Sequence, residues 1–431
     1  MADLIESLTK SLNPPQKEAV LHHEGPLLIL AGAGSGKTRV LTHRMAHLIA
    51  GGFAAPEEVL CVTFTNKAAR EMEHRIYNLL HELEVPVHSQ LWISTFHSFC
   101  VRLLRQRIEL LDYKPFFTIY DSGDQLSQIK KVMTALNINE KIFPAKNFQS
   151  RIGSAKMAGL SPQEVEKAYG RPLMDSKSLE VYKRYEEDMK RANALDFDDL
   201  LMKTWDLFRM YPDVLKEYQE KFRYIMVDEY QDTNRIQYLL VQALAKTHRN
   251  LCVVGDEDQS IYDFEKDFPE ATVVKLEENY RSTANIVKAA TSVIRNNNQR
   301  KDKTLFTSNL SGDLIRIQEE RNEYDEARFV AKTIEEIMNS GEGSWNDFAV
   351  FYRTNAQSRV IEEAFRTNGI PYKIVGGVRF YERMEIKDVL SFMKLAVNPA
   401  DDMAFKRIIN VPARGIGKTT ISASFASMSK P

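Results

Sequence analysis

The chain has 431 residues, 43% hydrophobic and 27% charged, with a formal net charge of -1. That is room for about two to four domains with ample core. It excludes a whole-molecule basic field, so any nucleic-acid contact has to come from local patches. Cys61, Cys100 and Cys252 show no paired spacing, which argues against zinc or a disulfide framework and for a reducing cytoplasm. No apolar run approaches the ~18 residues of a membrane span. Met1 to Glu6 has no signal-peptide character, so no membrane partner is expected.

The first strong element is the run Leu27 to Ala31, followed by Gly32-Ala33-Gly34-Ser35-Gly36-Lys37-Thr38. A buried strand, a glycine-rich turn and a helix start are what a phosphate-binding loop needs. Backbone N–H groups close on phosphate oxygens, Lys37 reaches the β- and γ-phosphates, and Thr38 offers a hydroxyl to Mg²⁺. The one departure from G-x-x-x-x-G-K-[ST] is Ala31 in the first glycine position. With Arg39, these residues form the expected ATP-contacting segment.

Further apolar runs at Val59 to Phe64, Leu91 to Ser94, Tyr224 to Asp228, Leu251 to Gly255 and Thr272 to Leu276 read as buried strands, with amphipathic helical stretches between most of them. This alternation predicts an α/β fold with a parallel sheet covered on both faces. From about Arg105 to Lys190 the text is helical and charged, a helical insertion. A second α/β unit is expected from Glu278, with strands at Leu314 to Gln318, Asp347 to Tyr352 and Tyr372 to Val375. From about Leu390 the chain reads as helical again. The expected division is 1–104 with 191–277, then 105–190, 278–389 and 390–431.

Tyr224 to Glu229 is a strand ending in Asp-Glu. Asp228 can hold Mg²⁺ and Glu229 can polarise an attacking water, a pairing that favours hydrolysis. Val253 to Ser260 is a second strand followed by an acidic turn, where Gln259 can orient water or sense a γ-phosphate; an ordinary turn explains it equally well. Asn66-Lys67-Ala68-Ala69 lacks the guanine-reading Asp of a GTPase. No histidine pair suggests a metal other than Mg²⁺.

Taken together, Leu12 to Gln16, Ala31 to Thr38, Thr63 to Ala69, Ser94 to Ser98, Val227 to Asn234, Gly255 to Tyr262 and Glu278 to Thr283 resemble the motifs of the superfamily-1 (UvrD/Rep-like) DNA helicases. The resemblance implies P-loop RecA-like parallel-sheet domains with a helical inserted domain. It implies that Gln16 reads the adenine edge, Tyr280 stacks on adenine and Arg281 reaches the γ-phosphate. It also implies an ATP- and Mg²⁺-dependent 3′–5′ helicase and translocase on single-stranded DNA and on junctions with a 3′ tail, acting as a monomer in the bacterial cytoplasm in repair and plasmid replication. Protein partners cannot be identified from the sequence. After Tyr262 the family pattern carries a Trp-Arg-Gly-Ala-Asp segment where this chain has Asp263-Phe264-Glu265, and two further family motifs would lie past Pro431. The alternative expectation is therefore a truncated or engineered form that binds ATP and DNA without efficient unwinding.

Single-strand binding without sequence preference needs aromatic platforms beside polar backbone contacts. The resemblance implies stacking by Phe64, Phe197 and Tyr262, although core aromatics are commoner on the residues alone. Thr65, Asn66, Thr95, His97 and Asn355 are candidate phosphate or base contacts, with capping or burial as the plainer role. Lys141, Lys146, Arg151 and Lys156 form a basic stretch in the insertion that can face duplex phosphates, and Lys288, Arg295, Arg300 and Lys301 form a second. Gly415-Ile416-Gly417-Lys418-Thr419 imitates a P-loop ending, but Pro412 stands where the first glycine belongs. Such a turn can bind a duplex phosphate through its backbone N–H groups, and the family resemblance implies that role for Gly415 and Gly417, with a helix-linking turn as the alternative.

Overall fold

The computed structural model describes residues 2–167, 174–256, 262–296, 305–341, 343–375, 384–412 and 414–417. Its strands are β1 (Leu27–Ala31), β2 (Val59–Thr63), β3 (Trp92–Thr95), β4 (Thr118–Tyr120), β5 (Ala194–Asp196), β6 (Tyr224–Val227), β7 (Leu251–Gly255) and β8 (Thr272–Leu276). Six of them form one parallel sheet in the order β3-β2-β6-β7-β1-β8. β1, β2, β6 and β7 are nearly continuous apolar runs because both their faces are buried, whereas the edge strand β8 leaves Val273 and Lys275 exposed. Leu28, Leu30, Leu60, Val62, Ile225, Val227 and Val253 point into one core. Their alternates Leu27, Ile29, Val59, Cys61, Tyr224, Met226, Cys252 and Val254 point into the other.

The register sets Leu28 opposite Val253 and Val273, so β1 is central and its carboxyl end opens between two neighbours. Helices start where a side chain caps their free N–H groups. Thr65 accepts from the Ala68 N–H at 3.1 Å and Thr95 from the Ser98 N–H at 3.2 Å. The candidate contacts Thr65 and Thr95 are thus helix caps in this structure.

The expected insertion is helical, with Ser122–Ala135, Ala145–Met157, Pro162–Lys167 and Ser176–Arg191 around a core of Ile129, Phe148, Ile152, Tyr182 and Tyr185. At its base β4 and β5 pair in parallel, three residues each, too short to register in the sequence pattern. Lys156, grouped above with the basic duplex-facing residues, is 1% exposed and bound to Asp196, Asp199 and Glu186. It points inward because helix periodicity places it on the face shared with Phe148 and Ile152. Arg151 is paired with Asp175.

By internal contacts the chain forms two compact units, Met1–Gly312 with Met393–Pro431, and Asp313–Phe392. Asn398 Nδ2 donates to Thr118 Oγ1 at 3.0 Å, and the Tyr120 hydroxyl donates to Asp401 at 3.0 Å, so the later segment packs on the insertion. In the second unit, helices Glu323–Ser340 and Asn355–Thr367 enclose Ala331, Ile334, Phe365 and Ile370. The three strands expected there do not form. Leu314 to Gln318, residues 348–352 and Tyr372 to Val375 carry no ladder, and Trp345–Asp347 is a 3-10 turn. A strand is held by its neighbours' backbone groups and, in a parallel sheet, by cover on both faces. Leu314, Ile317, Phe351 and Val375 stay more than 85% exposed. No helix among the described residues is long and apolar enough to cross a membrane.

Phe222 is fully buried, with its ring 5.0 Å from Trp92 and 6.0 Å from Phe99. Phe222→Ala is expected to destabilise the first unit by about 3–5 kcal/mol in urea unfolding followed by tryptophan fluorescence. A loss under about 1 kcal/mol would show that this side of the sheet is not core.

Candidate nucleotide site and nucleic-acid face

The glycine-rich turn leaves the carboxyl end of β1, where ligands of open α/β sheets bind. Ala31 is still a strand residue, fully buried and opposite Leu276, so a glycine is not required there. Gly34 and Gly36 are left-handed, with φ of 76° and 89°. A side chain on either would collide. A Cβ on Gly36 would sit 2.8 Å from Gln16 Nε2, and one on Gly34 2.7 Å from both Asn279 Nδ2 and Arg281 Cβ. Ser35 Oγ donates to the Gly32 carbonyl at 2.8 Å and closes the loop on itself. Gly36 then caps the helix Lys37–Ala50, which carries Thr38 and Arg39 in its first turn.

Lys37 Nζ lies 2.6 Å from Glu229 Oε2. Glu229 sits just past the end of β6 at φ 47°, a left-handed conformation that costs a non-glycine residue about 1 kcal/mol. The Gln231 amide also donates to Glu229 Oε2, at 2.7 Å, while its oxygen accepts from the Asp256 N–H at 3.0 Å. Burial alone would raise the Glu229 pKa. The bonds from Lys37 and Gln231 and the charges of Lys37 and Arg281 hold it below the usual glutamate value. Asp228 is 4% exposed, and burial, followed by the charge of Glu229, pushes its carboxyl up to about 6. A buried carboxylate so poorly compensated is a natural seat for a divalent cation. With the Thr38 hydroxyl it supplies the hard oxygen donors Mg²⁺ takes.

The third wall comes from the segment after β8. Asn279 Nδ2 donates to the Ala33 carbonyl at 2.7 Å and the Tyr280 N–H to the Gly34 carbonyl at 2.9 Å, which sets Arg281 against the loop. The Tyr280 ring is half exposed. Its hydroxyl donates to Glu278 at 2.5 Å and accepts from Asn13 Nδ2 at 2.6 Å. Gln16 is buried. Its Nε2 donates to the Ser35 carbonyl and its oxygen accepts from the Asn13 N–H, so an adenine edge would have to share those bonds. Arg39 is exposed and bonds Ser11 Oγ at 2.6 Å.

Asn13, Gln231 and Asn279 were missed in the sequence. Asn13 had a readable signal, because Asn-Pro-Pro-Gln spells a capping box with Gln16. Gln231 and Asn279 lie inside the motif segments Val227 to Asn234 and Glu278 to Thr283, but their residue types alone do not single them out. Gln259 lies outside the described residues. Tyr262 opens the helix Tyr262–Asp267, but its side chain lies outside them as well.

On the β2, β3 and β5 side, the Phe197 ring is 54% exposed and 5.4 Å from His97. Burial holds the His97 pKa below its usual value, so the ring is neutral at pH 7. Phe64 is half buried, edge-on to Phe96 at 5.9 Å. Asn66 is exposed at the first position of the helix Asn66–Glu82. The structure therefore brings Phe197 and His97 together as a platform. Asn355 starts a helix of the second unit and is described only within it. Gly415 has φ 70°, and Asn410 clamps its turn through both bonds to Ile416; Gly417 follows it, exposed.

Residues 12–280 match the UvrD/REP helicase N-terminal domain, and residues 274–429 match the UvrD-like helicase C-terminal domain. The chain belongs to the UvrD/Rep helicase family. It is 49% identical over 98% of its length to the ATP-dependent DNA helicase PcrA of Bacillus subtilis, and 48% identical over 97% to that of Staphylococcus epidermidis. It is 47% identical over 97% to the protein of the same name from Leuconostoc citreum. The chain spans 57–58% of these relatives' own lengths.

The UvrD/Rep assignment accounts for a carboxyl kept buried at a cost. Because the Asp228 pKa is raised on folding, its ionisation opposes folding as pH rises through about 6. Without Mg²⁺, Asp228→Asn is therefore expected to melt higher than wild type at pH 7.5, by up to about 2 kcal/mol of stability, and the gap should shrink at pH 5. Thermal melts at the two pH values in EDTA test this, and a pH-independent gap would contradict it.

Proposed function

We propose that this chain binds ATP with Mg²⁺ and hydrolyses it to move 3′ to 5′ along single-stranded DNA and open duplex at junctions with a 3′ tail. The setting would be the bacterial cytoplasm, in repair and plasmid replication, with the chain acting as a monomer. What carries the reading is the Lys37–Glu229 pair at the mouth of a glycine loop, on the sheet where His97 follows β3 and meets the exposed Phe197 ring from beyond β5. The names of the relatives point the same way.

In this reading Glu229 is held in check by the residue that binds phosphate. Lys37 turns toward the β- and γ-phosphates, and Glu229 loses its ammonium partner while Gln231 keeps its carboxylate oriented. Glu229 then accepts a proton from the attacking water. Arg281, already close enough for its charge to reach Glu229, faces the negative charge that builds on the transferred phosphate. Thr38 and Asp228 would hold Mg²⁺, which when bound neutralises phosphate charge. Gln16, Arg39 and Tyr280 surround the base, and Gln259 would report on the γ-phosphate. Phe64, Phe197, His97 and Tyr262 would stack or contact DNA bases, with Thr65, Asn66, Thr95 and Asn355 beside the backbone and Gly415 and Gly417 on duplex phosphates.

Glu229→Gln is expected to lower ATP turnover by about 10²- to 10⁴-fold while ATP still binds. Steady-state turnover with equilibrium binding of a fluorescent ATP analogue measures both. Turnover within about tenfold of wild type would remove Glu229 as the general base.

A further inference from the structure

Phe197 owes its position to an interaction that the proposed chemistry does not use. It is the first residue of the helix Phe197–Met210, between Asp196 and Asp199, which form that helix's capping box. Lys156, from the insertion helix Ala145–Met157, reaches both carboxylates, at 2.9 Å to Asp196 and 2.6 Å to Asp199. It also reaches Glu186 on the helix Ser176–Arg191 at 2.7 Å. Tyr185 and Gln125 complete the cluster through Asp196 Oδ2, at 2.9 and 3.1 Å, and Lys203 joins Glu186 at 3.2 Å. Lys156, Asp196 and Asp199 are all at least 98% buried.

A buried ammonium bound to three carboxylates is not needed for stability, since apolar packing of the same volume serves at least as well. What it does supply is fixed geometry. Each carboxylate has one place to be, and removing the cation leaves negative charge buried without a partner. A phenylalanine has two side-chain torsions, so the orientation of an exposed ring follows the backbone that carries it. Here that backbone is the turn that Lys156 holds.

We propose that Lys156 is a positioning residue for base stacking: it ties the helical insertion to the first turn of the Phe197 helix and so fixes the ring that single-stranded DNA meets. The inference rests on the DNA-binding reading above. Phe197 is the group that touches the base, and Lys156 acts through it.

The test compares the affinities of the full chain for oligo-dT and for an abasic phosphodiester chain of the same length. The ratio isolates stacking from phosphate contacts. Wild type should prefer oligo-dT by about 5- to 100-fold, and Phe197→Ala should remove most of that preference. Lys156→Met should lower the preference by at least about threefold, with abasic-chain and ATP affinities unchanged. A general loss of structure would reduce all three affinities. If Lys156→Met kept the wild-type preference while Phe197→Ala lost it, the proposal would be overturned. If wild type showed no preference and Phe197→Ala changed nothing, the stacking reading itself would fail, and the positioning role with it. Should Lys156→Met not fold, Asp199→Asn takes its place, because it keeps side-chain volume and removes one of the carboxyl groups that Lys156 binds. It is held to the same threefold criterion.

Discussion

A parallel sheet cannot leave a face in water, and most of the candidate site follows from that constraint. Covering both faces puts helices on the crossovers and makes the inner strands β1, β2, β6 and β7 nearly continuous apolar runs. All six strands then end on the same side. The glycine loop after β1, the Asp-Glu pair after β6 and the Asp256 N–H after β7 meet there without any long-range device beyond strand register. His97, just past β3, is at the same end of the sheet, where it meets the Phe197 ring. Damage to the core is therefore damage to the site, because the strand ends carry its residues.

Local stability is given up where that edge becomes chemical. Glu229 sits in a left-handed conformation, Asp228 is a carboxyl buried without a full partner, and Gly34 and Gly36 have no room for side chains. The Lys37–Glu229 pair compensates part of this by giving each charge a partner. In the proposed reading the pair is also a switch: the phosphate that captures Lys37 would be the one attacked, and the base would be released with that capture.

The loop at Ala31 to Thr38, the Asp228–Glu229 strand end and all six strands of the main sheet were legible in the sequence, because continuous apolar runs and glycine punctuation are local signals. What was not legible depended on partners distant in sequence. Lys156 reads as a surface base until Asp196, Asp199 and Glu186 are brought around it. Asn279 and Gln231 fall within motif segments without standing out there, and their bonds form because the fold delivers Ala33 and Asp256 to them. Thr65 and Thr95 carry residue types suited to phosphate contact, but their hydroxyls are engaged as helix caps. In the second unit the pattern at Leu314 to Gln318 is strand-like, yet pattern alone cannot provide the neighbouring strand that pairing requires.

The central claim is that the nucleotide site and the Phe197–His97 face work as one machine within the first unit. ATP hydrolysis with and without single-stranded DNA tests it most directly. The account predicts strong stimulation by DNA, because a base seated on the aromatic face would act through His97 on the end of β3, in the sheet that carries Lys37 and Glu229. Binding of both ligands with hydrolysis indifferent to DNA would contradict it, leaving two sites in one unit with no coupling between them.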